Sequence, residues 1–212
     1  MTEERVKLVL ASASPRRLAL LEQAGLVADL LNPVDIDETA RRRESPRALS
    51  LRLAGDKARA AASAPLVQAL DGPIFVLAAD TVVAVGRRVI PKPQSVEEAT
   101  AALELLSGRS HHVFTSICLI TPKGASRTRV VDTKLRFKRL TREDIECYVM
   151  SEEWRDKAGG YAIQGRAEAF VRSLNGSYSA VVGLPLYDVM ALLQGNGFPV
   201  YFTLAGTSHK AK

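Results

Sequence analysis

The stretch Leu10-Ala11-Ser12-Ala13-Ser14-Pro15-Arg16-Arg17 constrains this 212-residue chain more than any other. The apolar run Lys7-Leu8-Val9-Leu10 predicts a strand, which breaks off into small residues from Ala11 to Ser14. Pro15 then opens a helical pattern. Ser14 fits the N-cap, Pro15 the first helical position and Gly25 the C-terminal stop, with Leu18 and Leu21 on the apolar side. A strand, a tight loop and a helix N-terminus in succession offer free N–H groups to an anion. Arg16 and Arg17 sit in the first turn, where the helix dipole already supplies partial positive charge. A local rule broken without local compensation points to a site, and a bound polyphosphate would supply the missing negative charge. Two solvated surface arginines account for the same residues at little cost, so both readings stay open at this point. No Gly-x-x-x-x-Gly-Lys-Ser/Thr loop occurs, which argues against ordinary ATPase chemistry.

The length allows one large domain or two small lobes. A formal net charge of +6 suits an anionic partner, whether nucleotide, nucleic acid or acidic lipid, although Arg41-Arg42-Arg43, Lys210 and Lys212 carry much of it. Cys118 and Cys147 imply no disulfide framework and read as reduced core thiols. His111, His112 and His209 lack metal-ligand spacing and read as structural or exposed. The first residues lack signal-peptide character and no apolar run is long enough to span a bilayer, so the cytoplasm is the expected compartment.

Val34 to Glu44 reads as an acidic turn followed by a polar loop. Ser45-Pro46 starts a long helix through Ala62 that carries Lys57. The apolar run Ile74–Ala79 is a strand expected to end at Asp80-Thr81, with Val82–Val85 continuing to a hairpin at Gly86-Arg87-Arg88. Pro91-Lys92-Pro93 is held extended. Ser95 caps a helix to about Gly108; His111–Thr121 and Arg127–Phe137 form a strand pair; Thr141 caps a helix to about Met150. Trp154–Gly165 is irregular, Ala169–Leu174 a strand, and Leu184-Pro185-Leu186 opens the last helix. The ordered core is expected over about 6–204, with 205–212 a loose tail. Alternating strands and helices give an α/β class with a twisted mixed sheet, and the many polar loops suggest a cleft between two lobes.

Asp80 is the leading catalytic candidate. A carboxylate at the end of an apolar run is costly to bury unpaired, and it can serve as a general base for water or as a ligand to a divalent metal. A turn-forming Asp is the plainer alternative. Lys57 and Lys92 can neutralise phosphate oxygens or remain surface lysines. Asp37 and Glu38 can add a metal ligand or form an exposed acidic loop. Gln164 offers a donor and an acceptor, as a pyrimidine edge such as uracil requires, or satisfies loop backbone.

The ordered set Ser12-Ala13-Ser14-Pro15-Arg16-Arg17, Ala79-Asp80-Thr81-Val82-Val83, Lys92-Pro93, Ser107-Gly108-Arg109, Asp156-Lys157-Ala158-Gly159, Ile163-Gln164-Gly165 and Gly176-Ser177-Tyr178 through Val182-Gly183-Leu184-Pro185-Leu186 resembles the Maf family of nucleoside triphosphate pyrophosphatases. The resemblance runs from about Leu8 to Leu193. It implies an elongated α/β fold with a cleft between lobes, and hydrolysis between the α- and β-phosphates to a nucleoside monophosphate and pyrophosphate. It also implies a divalent metal, Mg²⁺ or Mn²⁺, near Asp80 and Glu38. By the same resemblance Asp80 is the proton acceptor, and Ser12, Ser14, Arg16, Lys57 and Lys92 contact phosphate. Arg17, Thr81 and Gln164 match the dTTP/UTP branch. The 7-methyl-GTP branch has Ser-Pro-Tyr-Arg, Ser-Asp-Gln and a Glu near Gln164, and this chain matches none of the three. A homodimer is implied by the resemblance alone. The competing readings are the same chemistry on 7-methyl-GTP or another modified nucleotide, and a nucleic-acid-binding or cell-division regulatory protein with minor hydrolysis. Against the last, aromatics are 6% of residues, with no interleaved basic–aromatic stretch to stack bases.

Overall fold

The computed structural model describes residues 5–200. The expected tail at 205–212, with His209, Lys210 and Lys212, lies outside them, as do the last positions expected in the core. Among the described residues seven strands form one mixed sheet: β1 (Lys7–Leu10), β2 (Leu30–Leu31), β3 (Ile74–Val85), β4 (Arg88–Ile90), β5 (Ser110–Ile120), β6 (Ser126–Phe137) and β7 (Val171–Asn175). Their order is β2-β1-β3-β5-β6-β7, with β4 added to β3. The helices are α1 (Pro15–Gln23), α2 (Pro46–Ala62), α3 (Pro65–Gln68), α4 (Val96–Leu106), α5 (Arg142–Met150), α6 (Tyr178–Val182) and α7 (Leu186–Gly195). The expected α/β class with a mixed sheet and flanking helices is what the chain adopts. No helix among the described residues is long and apolar enough to cross a membrane.

Strand β3 is the spine of the sheet. Along one edge it pairs with β5 from Val76 to Ala84. Along the other it pairs in parallel with β1 from Ile74 to Leu77, and with β4 from Val83 to Val85. From Ala78 to Val82 that second edge meets no strand. The β1–α1 loop turns away at this gap, and a cleft opens there. The sequence places a break at Asp80-Thr81, between the apolar run and Val82–Val85. The strand runs straight through instead, because Asp80 and Thr81 lie opposite Ser116 and Thr115 of β5 and the ladder continues across a polar step.

Side-chain alternation along β3 puts Asp80 on the face that carries Val76, Ala78 and Val82, and Thr81 on the opposite face. Helix α2 covers the first face. Its Ala54, Ala58 and Ala61 pack on Val9, Val76, Ala78 and Cys118, and these small side chains let the helix lie close to the strand. The opposite face is covered by α1 and α7, whose Leu20, Leu21, Leu192 and Leu193 meet Leu8, Leu10, Phe75 and Leu77. A third apolar cluster, under α4 and α5, fills the far half around Val83, Val113, Leu135, Phe137 and Trp154.

Helix starts follow their caps at Ser45, Ser95 and Thr141, each of which accepts a backbone N–H of its own first turn. Ser14 occupies the N-cap position of α1 but makes no side-chain cap bond. Ser12 Oγ instead accepts the Ser14 N–H at 3.1 Å, so the small-residue loop is closed from within. Two other expectations need correction, and three short elements go unanticipated. Residues from Ala169 to Phe170 belong to a turn of 3₁₀ helix, and β7 starts only at Val171. The short β2, α3 and α6 carry too little periodicity to be visible in sequence. Cys118 is a buried thiol as expected, whereas Cys147 on α5 is exposed. His111 is fully buried and His112 pairs with Asp132 at 2.7 Å near the surface.

The irregular segment after α5 is pinned to the sheet at Gly159, whose φ is +77° and whose absent Cβ would stand 2.8 Å from Val83 Cγ1. Replacing it therefore combines left-handed strain with overpacking. Gly159→Ala should cost about 2–4 kcal/mol in urea unfolding, with part of the loss recovered when Val83→Ala is added.

Candidate active site

The cleft at the gap in β3 has a volume of about 870 Å³, and all ten site residues expected from sequence line it. Ser12, Ser14, Arg16 and Arg17 come from the β1–α1 turn, Glu38 from the acidic loop and Lys57 from α2. Asp80 and Thr81 come from β3, Lys92 from the proline-held segment after β4, and Gln164 from the turn after the 3₁₀ segment. Asp37, the other acidic candidate, does not line the cleft; its carboxylate accepts the Thr39 N–H at 2.9 Å and shapes the local turn.

At the centre is one ammonium between two carboxylates. Lys57 Nζ donates to Asp80 Oδ1 at 2.6 Å and to Glu38 Oε1 at 2.5 Å. Lys92 Nζ stands 3.9 Å from Glu38 Oε2. The Asp80 side chain is only 8% exposed. Burial pushes its carboxyl above the usual range, against the opposing pull of Lys57 and Arg17. Glu38 goes the other way. Burial raises it, but the hydrogen bond from Lys57 and the charges of Lys57, Lys92 and Arg17 outweigh that and hold it low. Two carboxylates a single lysine apart are thus separated in acidity by their surroundings, the pattern that marks chemical sites. The loop that brings Glu38 in is fastened by Arg52 of α2, which binds Glu44 Oε1 at 2.8 Å and the Thr39 carbonyl at 2.9 Å. The Arg52 guanidinium holds the Glu44 carboxyl down at about 2.

The two arginines of α1 are not solvated surface residues. Arg17 Nε donates to the Gly183 carbonyl at 2.9 Å, and its terminal nitrogens reach Ser12 Oγ and Thr81 Oγ1 at 3.4 Å. Arg16 donates to the Asp156 carbonyl at 3.2 Å. Each spans to a segment well over a hundred residues away. Of the groups that orient Arg17, the sequence singles out Ser12 and Thr81 but not the Gly183 carbonyl or Thr115 behind Thr81. Thr115 of β5 is fully buried, holds Thr81 Oγ1 at 3.1 Å and donates to the Ala180 carbonyl at 2.7 Å. Gly183 sits at φ +133° with room for a Cβ only 3.4 Å from Arg17 Nε. The Gly183-Leu184-Pro185 run was the available signal for the second; nothing local marks Thr115.

Gln164 is exposed on the lining, beyond a buried stretch from Tyr161 to Ile163. Two tyrosine hydroxyls fix that stretch. Tyr148 accepts the Ala162 N–H at 2.9 Å, and the Tyr161 hydroxyl pairs with His111 Nε2 at 2.8 Å.

No group of three or more His, Cys, Asp and Glu side chains able to hold a metal occurs among the described residues. A cation of the Mg²⁺ type needs fewer, because one or two carboxylates suffice where phosphate oxygens and water complete the shell. Asp80 and Glu38, facing each other across Lys57, fit that requirement and would be the protein's ligands.

The chain matches the family model described as Maf-like protein over residues 7–196. It is 59% identical to a protein of Rhodopseudomonas palustris (strain HaA2) named dTTP/UTP pyrophosphatase, across 93% of this chain and 96% of that one. It is 57% identical to a protein of the same name from Mesorhizobium japonicum, across 92% and 94%. Among solved structures, a HAM1 protein from Coxiella burnetii superposes with a TM-score of 0.49 at 17% identity, over 90% of this chain and all of that one.

Because the folded Asp80 carboxyl titrates above its unfolded value, its ionised form weighs against the fold. Its contribution to stability is full below the unfolded value and is lost as pH rises through the folded one. Asp80→Asn should therefore unfold a few degrees above the unaltered protein at pH 7.5, and the difference should vanish in acid. Thermal scans across pH check this.

Proposed function

Since the chain belongs to the Maf family, we propose that it is a nucleoside triphosphate pyrophosphatase acting on dTTP and UTP, releasing the nucleoside monophosphate and pyrophosphate. One observation carries this reading: a buried carboxylate, Asp80, is hydrogen-bonded to Lys57 in a cleft also lined by Arg16, Arg17 and Lys92. A buried base beside several cations suits attack by water on an anionic phosphorus.

Each residue has a task. Asp80 takes a proton from water, and the oxygen attacks the α-phosphorus. The bond from that phosphorus to the bridging oxygen breaks, and pyrophosphate leaves with the electron pair. Lys57 keeps Asp80 ionised against the pull of burial and fixes its orientation. Ser12, Ser14 and the first turn of α1 receive phosphate oxygens, Arg16 and Lys92 offset their charge, and Arg17 with Thr81 holds the loop in shape. Asp80 and Glu38 would hold a divalent cation, which when bound would supply charge neutralisation at the phosphate. Gln164 reads the donor and acceptor edge of the pyrimidine. The described residues form one domain in this reading, since a single sheet runs under all the apolar clusters. The protein works free of membranes, and a homodimer is compatible with it.

Pyrophosphate release measured over a panel of nucleoside triphosphates tests the reading. UTP and dTTP should be turned over well ahead of CTP, GTP and ATP, and Asp80→Asn should lower turnover by about 10²–10⁴-fold while remaining folded. Equal turnover by folded Asp80→Asn would remove Asp80 from the chemistry.

A site that pairs polar edges can separate bases by about 10⁴-fold. Gln164→Glu, which turns the amide donor into an acceptor, should narrow the preference for UTP over CTP with little change in pyrophosphate inhibition. An unchanged substrate profile would take Gln164 out of base reading.

A further inference from the structure

The cations of the cleft fall into two groups by what they touch. Lys57 and Lys92 face carboxylates. Arg16, Arg17 and Lys157 touch only neutral oxygens. Arg16 binds the Asp156 carbonyl, Arg17 a carbonyl and two hydroxyls, and Lys157 Nζ the Arg155 carbonyl at 2.7 Å. Lys157 is half-buried and lines the cleft on the segment that Arg16 bridges to. Its nearby acids offset its charge only in part. Glu153 accepts the Arg166 N–H at 2.8 Å and faces the Arg166 guanidinium at 3.7 Å, and the exposed Asp156 draws both Arg16 and Lys157 upward without outweighing their burial. Burial, and then the charge of Arg16, hold the Lys157 ammonium below its ordinary range. Two partly desolvated cations side by side in a cleft, each resting on a carbonyl, form a receptor short of its anion.

Which part of the ligand fills it follows from position. Asp80 is engaged from the α2 side of β3, where Lys57 Nζ binds it at 2.6 Å. Lys157 stands on the segment that packs through Gly159 against Val83, on the other face of β3, and that Arg16 bridges to. The two therefore line different parts of the cleft. With the reacting phosphorus at Asp80, a cation in the other part meets the phosphates beyond it. We infer that Lys157, together with Arg16, binds the β- and γ-phosphates and receives them as the leaving pyrophosphate, exchanging its hold on the Arg155 carbonyl for phosphate oxygens. This assignment rests on the reaction proposed above. Its effect is greatest as the bridging bond breaks, when negative charge grows on the departing group.

Calorimetric binding in Mg²⁺ buffer tests it without turnover, using uridine 5′-(α,β-imido)triphosphate, inorganic pyrophosphate and UMP as probes. Lys157→Met should bind the imido analogue and pyrophosphate at least about tenfold more weakly while holding UMP as before, and Lys157→Arg should restore most of the loss. Unchanged affinities, an equal loss for UMP, or no binding of either phosphate probe by the unaltered protein would overturn the assignment. The two claims part in a defined way. If the unaltered chain fails to hydrolyse UTP or dTTP but binds the analogue in a Lys157-dependent manner, the reaction is wrong and the cation's role stands. If it hydrolyses them and Lys157→Met binds all probes normally, only the role of Lys157 falls.

Discussion

A single ammonium group joins the acidic loop, the helix over the sheet and the central strand. Lys57 Nζ lies within 2.6 Å of both Glu38 and Asp80. Without it, Asp80 is an unpaired charge on a buried strand, which the fold would answer by protonating it. With it, Asp80 can keep the charge that the proposed reaction asks of it. In the proposed reaction the ion pair is thus a condition for turnover more than a contributor to stability, as expected where desolvation offsets most of the attraction.

The position of that lysine depends on very small side chains. Ala54, Ala58 and Ala61 bring α2 close to Val76 and Ala78, and bulkier residues there would lift Lys57 away from the strand. The sheet contributes the other half. β1 and β4 share one edge of β3 without meeting, so the strand's centre borders open space while its ends stay paired. A carboxylate placed at the ends would be enclosed by a neighbouring strand.

Much of this was legible in the sequence, and the limits have physical causes. The helix starts at Pro46, Val96 and Arg142 were read from the caps before them, because capping is local chemistry. The grouping of Ser12, Lys57, Asp80, Lys92 and Gln164 in one cleft was read from ordered motifs, since no local rule brings residues so far apart together. The end of the strand at Asp80 was misread because periodicity sees a polar residue as a boundary, and only Ser116 and Thr115 across the ladder show otherwise. Thr115 and the carbonyl under Arg17 escaped for a similar reason. A buried threonine in a strand looks like any other, and backbone acceptors carry no residue signature.

The fastening of Glu44 by Arg52 sets an order of events on acidification. Glu44 keeps its charge in the fold down to about pH 2, so its share of stability is full above its unfolded value and drains away progressively as pH falls from there to about 2. Asp80 accepts its proton earlier, being held above its ordinary range. Mild acid would thus neutralise Asp80 while Arg52 still anchors the wall carrying Glu38, so the proposed base could be switched off and on with its surroundings in place.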